Sequence, residues 1–460
     1  MKIVLKDLPL KFLLKIKFLA ILSLLITSNL TGQQTSNKPE REQWFMDMGF
    51  GMFIHWSMDS QVGAVISHSM AGASEDYLKR FITELPKTFN PKKFDPNEWA
   101  VLAKLAGMKY VVFTTKHHSG FCMWDTKTTS FNILNTPFKR DATREIFDAF
   151  RKQGIAIGIY FSPEDFHLLF EKQIPIGRLQ NPLHYPANNP DLMALDKAQI
   201  KELLSNYGKI DVMFFDGPAE GLKEYAWQLQ PDLIVTRGQM QTPEQNLPDK
   251  PIPGPWEACF TMGTDWQYKP TNDPHKSGTD IINMLIEIRA KGGNLLLNVG
   301  PKPDGEIQIE QEALLREIAL WNLVNQEGIQ NIRPWEIIKE GDNWFTKSKD
   351  NNTVYAFIPG GRTWKYGERK EFIFKTIAGN DQTKVSILGY ASELVEYKQG
   401  FDAEIYSTQT PLGLAISAVN GHRLYTNNQW PNPVVLKIEN VNFIPPKQIL
   451  EIKSKIDGAK

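Results

Sequence analysis

The chain has 460 residues, about three times the length of a typical domain, so its length predicts two or three domains or one large barrel with an added domain. With 42% hydrophobic and 23% charged residues, the composition is that of a globular protein and excludes collagen-like, disordered and polytopic membrane proteins. Lys and Arg together number 52, as do Asp and Glu, so no basic excess indicates a nucleic-acid partner. Two cysteines, Cys122 and Cys259, are too few for a disulfide framework or a cysteine-based zinc site.

Residues 1–32 have the pattern of a secretory signal peptide. Five lysines precede an uncharged run from Phe18 to Thr27, and small and polar residues follow. That run is about half of the roughly 20 apolar residues that a membrane-spanning helix needs. We therefore expect cleavage near Gly32, a periplasmic or secreted location, and no membrane association after the signal is removed. The mature chain would then be mildly acidic, which suits a neutral glycan better than a polyanion.

Residues 43–334 alternate between short apolar runs and segments of helical period. The predicted strands are Gly51–Trp56, Tyr110–His118, Ala156–Ser162, Asp211–Gly217, Leu233–Gly238, Trp256–Thr261 and Leu295–Gly300. The predicted helices are Asn97–Ala106, Ala142–Gln153, Met193–Tyr207, Gly221–Gln230, Gly278–Lys291 and Gln308–Asn325. This alternation indicates an α/β fold with a parallel sheet, and seven strands over this length favour a TIM-like (β/α) barrel. No Gly-x-Gly-x-x-Gly follows the first strand, so nothing indicates a dinucleotide.

Residues 335–460 have a different pattern, with short strand-like runs, Gly, Asn and Asp turns, and no helical period. The predicted strands are Val354–Pro359, Glu371–Thr376, Lys384–Gly389, Leu394–Lys398, Gly413–Val419 and Val434–Val441. This spacing is typical of an antiparallel β-sandwich. We therefore expect a C-terminal β-sandwich domain after the barrel.

Polar residues at the strand ends identify the candidate site, because the active site of a parallel barrel lies at the carboxyl ends of its strands. The residues interpreted as closing strands are His55-Trp56, Lys116-His117-His118, Asp216-Gly217, Arg237-Gly238, Trp256-Glu257 and Asn298. Few of these residue types favour strands, and packing alone does not explain so many ionisable groups at strand ends. Together they predict a catalytic or binding pocket.

Asp216 and Glu257 are the candidate catalytic carboxyl groups. Asp216 ends a buried strand on the same face as Phe214, although an Asp here could also cap the following turn. Glu257 lies beside the indole of Trp256, where apolar surroundings would raise its pKa, although a surface salt bridge is the alternative. Glycoside hydrolysis needs two carboxyl groups, about 5–5.5 Å apart for retention and about 6.5–9.5 Å for inversion.

Two adjacent histidines, His117 and His118, would point to opposite faces of a regular strand and line one pocket only if the strand has begun to turn. A metal-dependent amidohydrolase barrel is the alternative, but its His-x-His on the first strand is absent here. Hydrogen bonding to sugar hydroxyls is the better use of these imidazoles. We expect neither a metal ion nor an organic cofactor.

Five ordered motifs between Gln43 and Pro334 resemble those of glycoside hydrolase family 29, the α-L-fucosidases. They are Phe53-Ile-His-Trp56, Thr115-Lys-His-His-Ser-Gly-Phe121, Met213-Phe-Phe-Asp-Gly217, Pro255-Trp-Glu-Ala-Cys259 and Gly293-Asn-Leu-Leu-Leu-Asn-Val-Gly-Pro301. The resemblance implies a retaining mechanism with Asp216 as nucleophile and Glu257 as acid/base, with Glu75 and Glu164 as the other acid/base candidates. It also implies that His55, His117, His118 and Arg237 bind the sugar.

Aromatic residues are the candidates to pack on the apolar face of the sugar, namely Trp56, Trp124, Phe214, Trp256 and Trp266. Phe214 stands where the family has tryptophan, and Ser67–Tyr77 replaces a common Glu-Trp-Tyr segment. The resemblance therefore implies an exo-acting α-L-fucosidase whose substrate is a fucosylated oligosaccharide or glycoconjugate. The alternatives are a hydrolase of the same fold for another glycone, such as a galactoside, and a catalytically inactive carbohydrate-binding protein.

Overall fold

The computed structural model describes residues 34–64, 66–177, 181–360, 363–392, 402–421 and 431–445. The predicted signal peptide and the predicted strand Leu394–Lys398 lie outside these residues. Within them, every helix is too short or too polar to cross a lipid bilayer.

Seven parallel strands form one curled sheet in the N-terminal part of the chain. They are β1 (Phe50–Ile54), β2 (Tyr110–Lys116), β3 (Ala156–Phe161), β4 (Val212–Phe215), β5 (Ile234–Val235), β6 (Glu257–Thr261) and β7 (Asn294–Val299). Their order across the sheet is β5-β4-β3-β2-β1-β7-β6. Each of the seven overlaps a strand predicted from the sequence, and the (β/α) barrel class is confirmed.

Helices connect these strands and cover the outside of the sheet. They are α1 (Pro39–Met48), α2 (Glu75–Thr83), α3 (Leu85–Thr88), α4 (Pro96–Leu105), α5 (Ala142–Lys152), α6 (Phe166–Glu171), α7 (Pro190–Asn206), α8 (Leu222–Leu229), α9 (Gly278–Ala290) and α10 (Ile309–Asn325). Their starts follow local chemistry. Asp141 caps α5 by accepting from Arg144 N, and Ser277 with Asp280 forms a capping box at α9.

Alternating residues of the strands face inward and outward, which separates two hydrophobic cores. The inner core fills the barrel with Phe45, Phe53, Tyr110, Val112, Tyr160, Val212, Phe214, Ile234, Cys259 and Leu296. The outer core packs the other strand face against the helices. This alternation decides which residue of each strand-end pair enters the barrel.

Residues 241–245 occupy the space between β5 and β6, two described strands that form no direct ladder. Glu257 N donates to Gln241 O at 3.2 Å, and Gln245 N donates to Cys259 O at 3.0 Å. The segment runs parallel to β6 and lines the remaining side of the barrel. It therefore brings its side chains to the same rim as the strand ends.

The C-terminal part of the chain is antiparallel, as predicted. Its strands are β8 (Ile332–Glu340), β9 (Asn343–Ser348), β10 (Thr353–Ile358), β11 (Arg369–Phe374), β12 (Ile377–Ala378), β13 (Lys384–Ile387), β14 (Tyr406–Thr410), β15 (Gly413–Val419), β16 (Val434–Glu439) and β17 (Asn442–Phe443). They form sheets ordered β13-β16-β10-β9-β8, β11-β15-β14 and β12-β17. The predicted domain boundary at 334/335 falls inside β8, because the first sandwich strand already begins at Ile332.

Candidate active site

Asp216 lies immediately after β4, at the carboxyl end of the barrel. Its Oδ2 accepts a hydrogen bond of 2.6 Å from the Tyr160 hydroxyl, and its Oδ1 accepts one of 3.0 Å from Arg237 Nη1. His118 Nε2 lies 3.5 Å from Oδ2. Burial raises the pKa of Asp216, but the electrostatic interactions with His118 and Arg237 and the hydrogen bond from Tyr160 outweigh burial, so the pKa is lowered overall. The group is therefore an ionised carboxylate, and its side chain is still 26% exposed.

Aromatic rings form the floor beneath this carboxylate. Tyr160 stacks on Phe214 with ring centroids 5.7 Å apart, and Phe53 packs against Phe214 at 5.2 Å. The Arg237 guanidinium lies 4.5 Å above the Phe214 ring. Phe214 is 1% exposed, so it supports Asp216 and Arg237 from below and offers a sugar almost no surface.

The structure brings three strand-end histidines together beside Asp216. His55 Nδ1 lies 2.6 Å from Asn298 Oδ1, and burial lowers the pKa of His55 to about 4, so this ring is neutral. Asn298 Nδ2 donates to a backbone oxygen, which leaves its Oδ1 to accept from His55 Nδ1–H. His117 stacks on Tyr160 at 5.2 Å. His117 and His118 share the pocket because the strand ends at Lys116.

A fourth histidine, His68, joins them from the segment after β1. Its ring lies 5.6 Å from that of His118 and 5.7 Å from that of His117. One ring nitrogen from each of the three residues lies within 4.8 Å of the others. Imidazole nitrogens at this spacing can hold a transition-metal ion as well as hydrogen-bond a sugar.

Trp266 is the predicted tryptophan that the structure places at the pocket. It follows β6, lies half-buried, and packs 5.1 Å from the His55 ring and 5.9 Å from the Phe53 ring. Asn298 fixes this position, because its Nδ2 donates to Trp266 O at 2.5 Å. The indole therefore forms one wall of the pocket above His55.

The other three predicted tryptophans lie elsewhere. Trp56 is fully buried in the outer core and stacks on Phe94 at 5.1 Å, because it faces away from the barrel when its neighbour His55 faces inward. Trp124 is also fully buried and donates to Glu202 on α7 at 3.0 Å. Trp256 is buried against Gly293. All three have core positions and do not fit the predicted role as sugar contacts.

Glu257 is likewise separated from Asp216, which corrects the interpretation of Trp256-Glu257 as a strand end. This pair opens β6, so Glu257 lies at the amino end of the strand and pairs with Asn294 at the start of β7. Its side chain is fully buried, its Oε2 accepts from Tyr110 Oη at 2.6 Å, and burial raises its pKa to about 7. The raised pKa was expected, but this buried position does not fit proton transfer to a substrate.

Two other carboxyl groups reach the rim. Glu244, on residues 241–245, accepts a hydrogen bond of 2.8 Å from Arg237 Nη2, and its side chain is 44% exposed. Glu164 lies 3.5 Å from His118 Nδ1 and is 22% exposed. Glu75, the remaining sequence candidate, is exposed in the first turn of α2. Sequence reasoning missed Glu244 because it lies in an irregular polar segment. Its one nearby signal was its partner Arg237, seven residues earlier, which was predicted to end a strand.

Comparisons with known proteins agree on one family. The family model described as Alpha-L-fucosidase matches residues 27–327. Plasma alpha-L-fucosidase of Rattus norvegicus is 27% identical over 397 residues, 76% of this chain and 83% of the relative, and Alpha-L-fucosidase of Dictyostelium discoideum is 27% identical over 79% and 86%.

Solved structures give the same result. Alpha-L-fucosidase isoenzyme 1 from Paenibacillus thiaminolyticus matches with a TM-score of 0.69 and 27% identity, over 88% of this chain and 99% of that one. A GH29 alpha-L-fucosidase from Bacteroides thetaiotaomicron, solved as a trapped covalent intermediate with 2-fluoro-fucosyl fluoride, matches with a TM-score of 0.67, 23% identity and coverage of 89% and 98%. With the family model covering most of the barrel, the chain belongs to the α-L-fucosidases of glycoside hydrolase family 29 and is a glycoside hydrolase.

Proposed function

We propose that the chain is a retaining, exo-acting α-L-fucosidase that removes terminal α-L-fucosyl residues from glycans, with Asp216 as nucleophile and Glu244 as general acid/base. The observation that carries this proposal is the Asp216 carboxylate itself. It is ionised, partly exposed and held by Tyr160 and Arg237 at the carboxyl end of the barrel. A covalent intermediate trapped in the Bacteroides relative supports the double-displacement route.

Glu244 suits the acid/base role better than Glu257. Arg237 bridges it to Asp216 through hydrogen bonds of 3.0 and 2.8 Å, so the two carboxylates lie within about 8 Å of each other across one planar guanidinium. That bound includes the spacing of about 5–5.5 Å of retaining enzymes and part of the range of about 6.5–9.5 Å of inverting enzymes, so retention is inferred from the trapped intermediate of the Bacteroides relative. Glu244 is also exposed at the rim, where a leaving group and a water molecule have access, whereas Glu257 is sealed inside the barrel.

The proposed reaction has two steps. In the first, an Asp216 oxygen bonds to C1 of the sugar, the bond from C1 to the glycosidic oxygen breaks, and the Glu244 carboxyl group gives its proton to that oxygen. In the second, Glu244 takes a proton from water, the water oxygen bonds to C1, and the ester to Asp216 breaks. Arg237 contacts both carboxylates and would hold them in place throughout.

The pocket walls support terminal-sugar specificity. His55, His117 and His118 present ring nitrogens to sugar hydroxyls, and the Trp266 indole offers an apolar surface to the sugar ring. Phe53 and Phe214 close the floor. A pocket with a closed floor admits one sugar from a chain end, which favours exo action.

A mechanism-based inactivator tests the proposal. Incubation with a 2-deoxy-2-fluoro-α-L-fucosyl donor is expected to add one fluorofucosyl group per chain, and peptide mass spectrometry should locate it on Asp216. Labelling of another residue would overturn the nucleophile assignment. Faster turnover of an aryl galactoside than of the matching aryl fucoside would overturn the assignment of the glycone.

A further inference from the structure

We propose that His68, His117 and His118, with Asp216, form a binding site for a divalent transition-metal ion, and that metal and sugar occupy the pocket in turn. One ring nitrogen of each histidine lies within 4.8 Å of the others. Asp216 Oδ2 lies 3.5 Å from His118 Nε2 on the same side. Three imidazoles and one carboxylate are a donor set that Zn²⁺, Cu²⁺, Ni²⁺ and Co²⁺ favour.

The tautomer of His118 is set by a chain of hydrogen bonds. Ser162 has one hydroxyl hydrogen, and its Oγ donates to Glu164 O at 3.0 Å. The same Oγ lies 2.5 Å from His118 Nδ1, so it accepts from Nδ1–H. With a hydrogen on Nδ1, Nε2 is the nitrogen on which a metal ion can replace a proton, and it faces Asp216. A hydrogen bond on the other ring nitrogen is the arrangement that orients metal-binding histidines in proteins.

His117 is held in a similar way. The Ser67 hydroxyl lies 2.7 Å from its Nδ1, and its ring lies nearly parallel to that of Tyr160, at an angle of 6°. Both contacts fix the ring plane and direct Nε2 away from Ser67. The two adjacent histidines thus form a preoriented pair, each with a serine hydroxyl on Nδ1.

His68 completes the set from a different part of the chain. It lies on the short 3₁₀ helix Ile66–Met70, which also carries Ser67. Its ring stacks on His118 at an angle of 21°. Metal–nitrogen bonds of about 2.0–2.1 Å require the three nitrogens to move closer together when an ion binds.

Inhibition is the expected consequence. Four protein ligands fill a tetrahedral coordination sphere and leave no position for a metal-bound water, as in closed structural sites. An ion bound here would also engage the Asp216 carboxylate and occupy the nitrogens that face the sugar. The inhibitory effect rests on the proposed function, whereas the binding itself does not.

Cobalt binding tests the site directly. The full chain is treated with EDTA, desalted and titrated with Co²⁺, whose visible absorption reports coordination. One Co²⁺ per chain is expected, and His68→Gln should weaken its affinity by at least about tenfold. His275→Gln is the matched control, because it removes a histidine that pairs with Asp273 at 3.7 Å in another loop, and it should leave the affinity unchanged. Equal affinity in wild type and His68→Gln, or no one-to-one binding, would overturn the proposal.

Competition completes the test. Co²⁺ should raise KM for an aryl α-L-fucoside without lowering kcat, and L-fucose should displace the visible cobalt spectrum. A bound cobalt ion that fucose does not displace would contradict mutually exclusive binding. His68-dependent cobalt binding by a chain that hydrolyses no fucoside would leave the metal site in place and overturn the proposed function alone.

Discussion

Glu257→Gln separates a structural glutamate from a catalytic one. The Glu257 carboxyl group is fully buried, with Oε2 accepting from Tyr110 Oη, and Thr236 is its other polar side-chain neighbour. Glutamine keeps the volume and retains an acceptor for Tyr110. The glutamine NH₂ group can donate to Thr236 Oγ1, a neighbouring buried hydroxyl oxygen. The substitution therefore removes an ionisable group with little change in packing.

The magnitude follows from the shifted pKa. Burial raises the pKa of Glu257 from 4.5 to about 7, so between these pH values the unfolded chain has released a proton that the folded chain retains. The free energy of unfolding falls across this window as pH rises, by about 3 kcal/mol in total, because one pKa unit corresponds to about 1.4 kcal/mol. Above pH 7 the penalty is fully present, and Glu257→Gln abolishes it.

Unfolding measured by urea at pH 4.5 and at pH 8 checks this result. We expect the stability of Glu257→Gln relative to wild type to increase by about 3 kcal/mol from the lower to the higher pH, because other ionisations cancel in the difference. Turnover of aryl fucosides should stay within a few-fold of wild type. A loss of about 10²-fold or more in kcat, or a relative stability that does not change with pH, would refute this account of Glu257.

Three further predictions concern the rim of the barrel. Glu244→Ala should lower turnover of substrates with poor leaving groups by about 10²–10⁴-fold, spare activated aryl fucosides, and regain activity when azide is added. If azide rescues Glu164→Ala and not Glu244→Ala, the acid/base role belongs to Glu164. Tyr160→Phe removes a hydrogen bond to a charged acceptor worth about 1.5–3 kcal/mol, so the pKa of Asp216 should rise and the acid limb of kcat/KM should move up by about one to two pH units. A limb that stays in place would show that Asp216 does not control it. Trp266→Ala should raise KM roughly three- to tenfold with less effect on kcat, and an unchanged KM would exclude contact between this indole and the sugar.

The sequence predicted the parts of the site that regular strands position. Asp216 closes a strand whose apolar run is unbroken from Val212 to Phe215, and the alternation of that run places the carboxylate on the inner face. His55 follows from the same argument on β1. The position of a residue in a parallel strand shows at which end of the barrel it lies and on which face of the sheet. These two facts were enough to predict that these groups lie together.

Other parts of the prediction failed for residues whose position depends on which end of a strand they occupy, or on an irregular segment of the chain. Trp256 and Glu257 stand beside a strand, but the sequence pattern did not show that they open it at the buried end of the barrel. Trp124 lies on an irregular segment, where two-residue alternation gives no face. Glu244 and His68 lie on segments without apolar periodicity, and their positions depend on tertiary contacts with Arg237 and His118.

The two proposed catalytic carboxyl groups lie on parts of the chain that tolerate sequence change to different degrees, because only one of them is on the segment of residues 241–245. Asp216 follows a strand that is paired on both sides, so insertions near it would break the sheet. Glu244 is held by a few backbone bonds to β6 and by Arg237, on a polar loop that tolerates exchange. Exchanging residues 239–255 between enzymes of this fold would therefore transfer the leaving-group preference from one enzyme to the other, while the barrel would keep its own chemistry at the glycone.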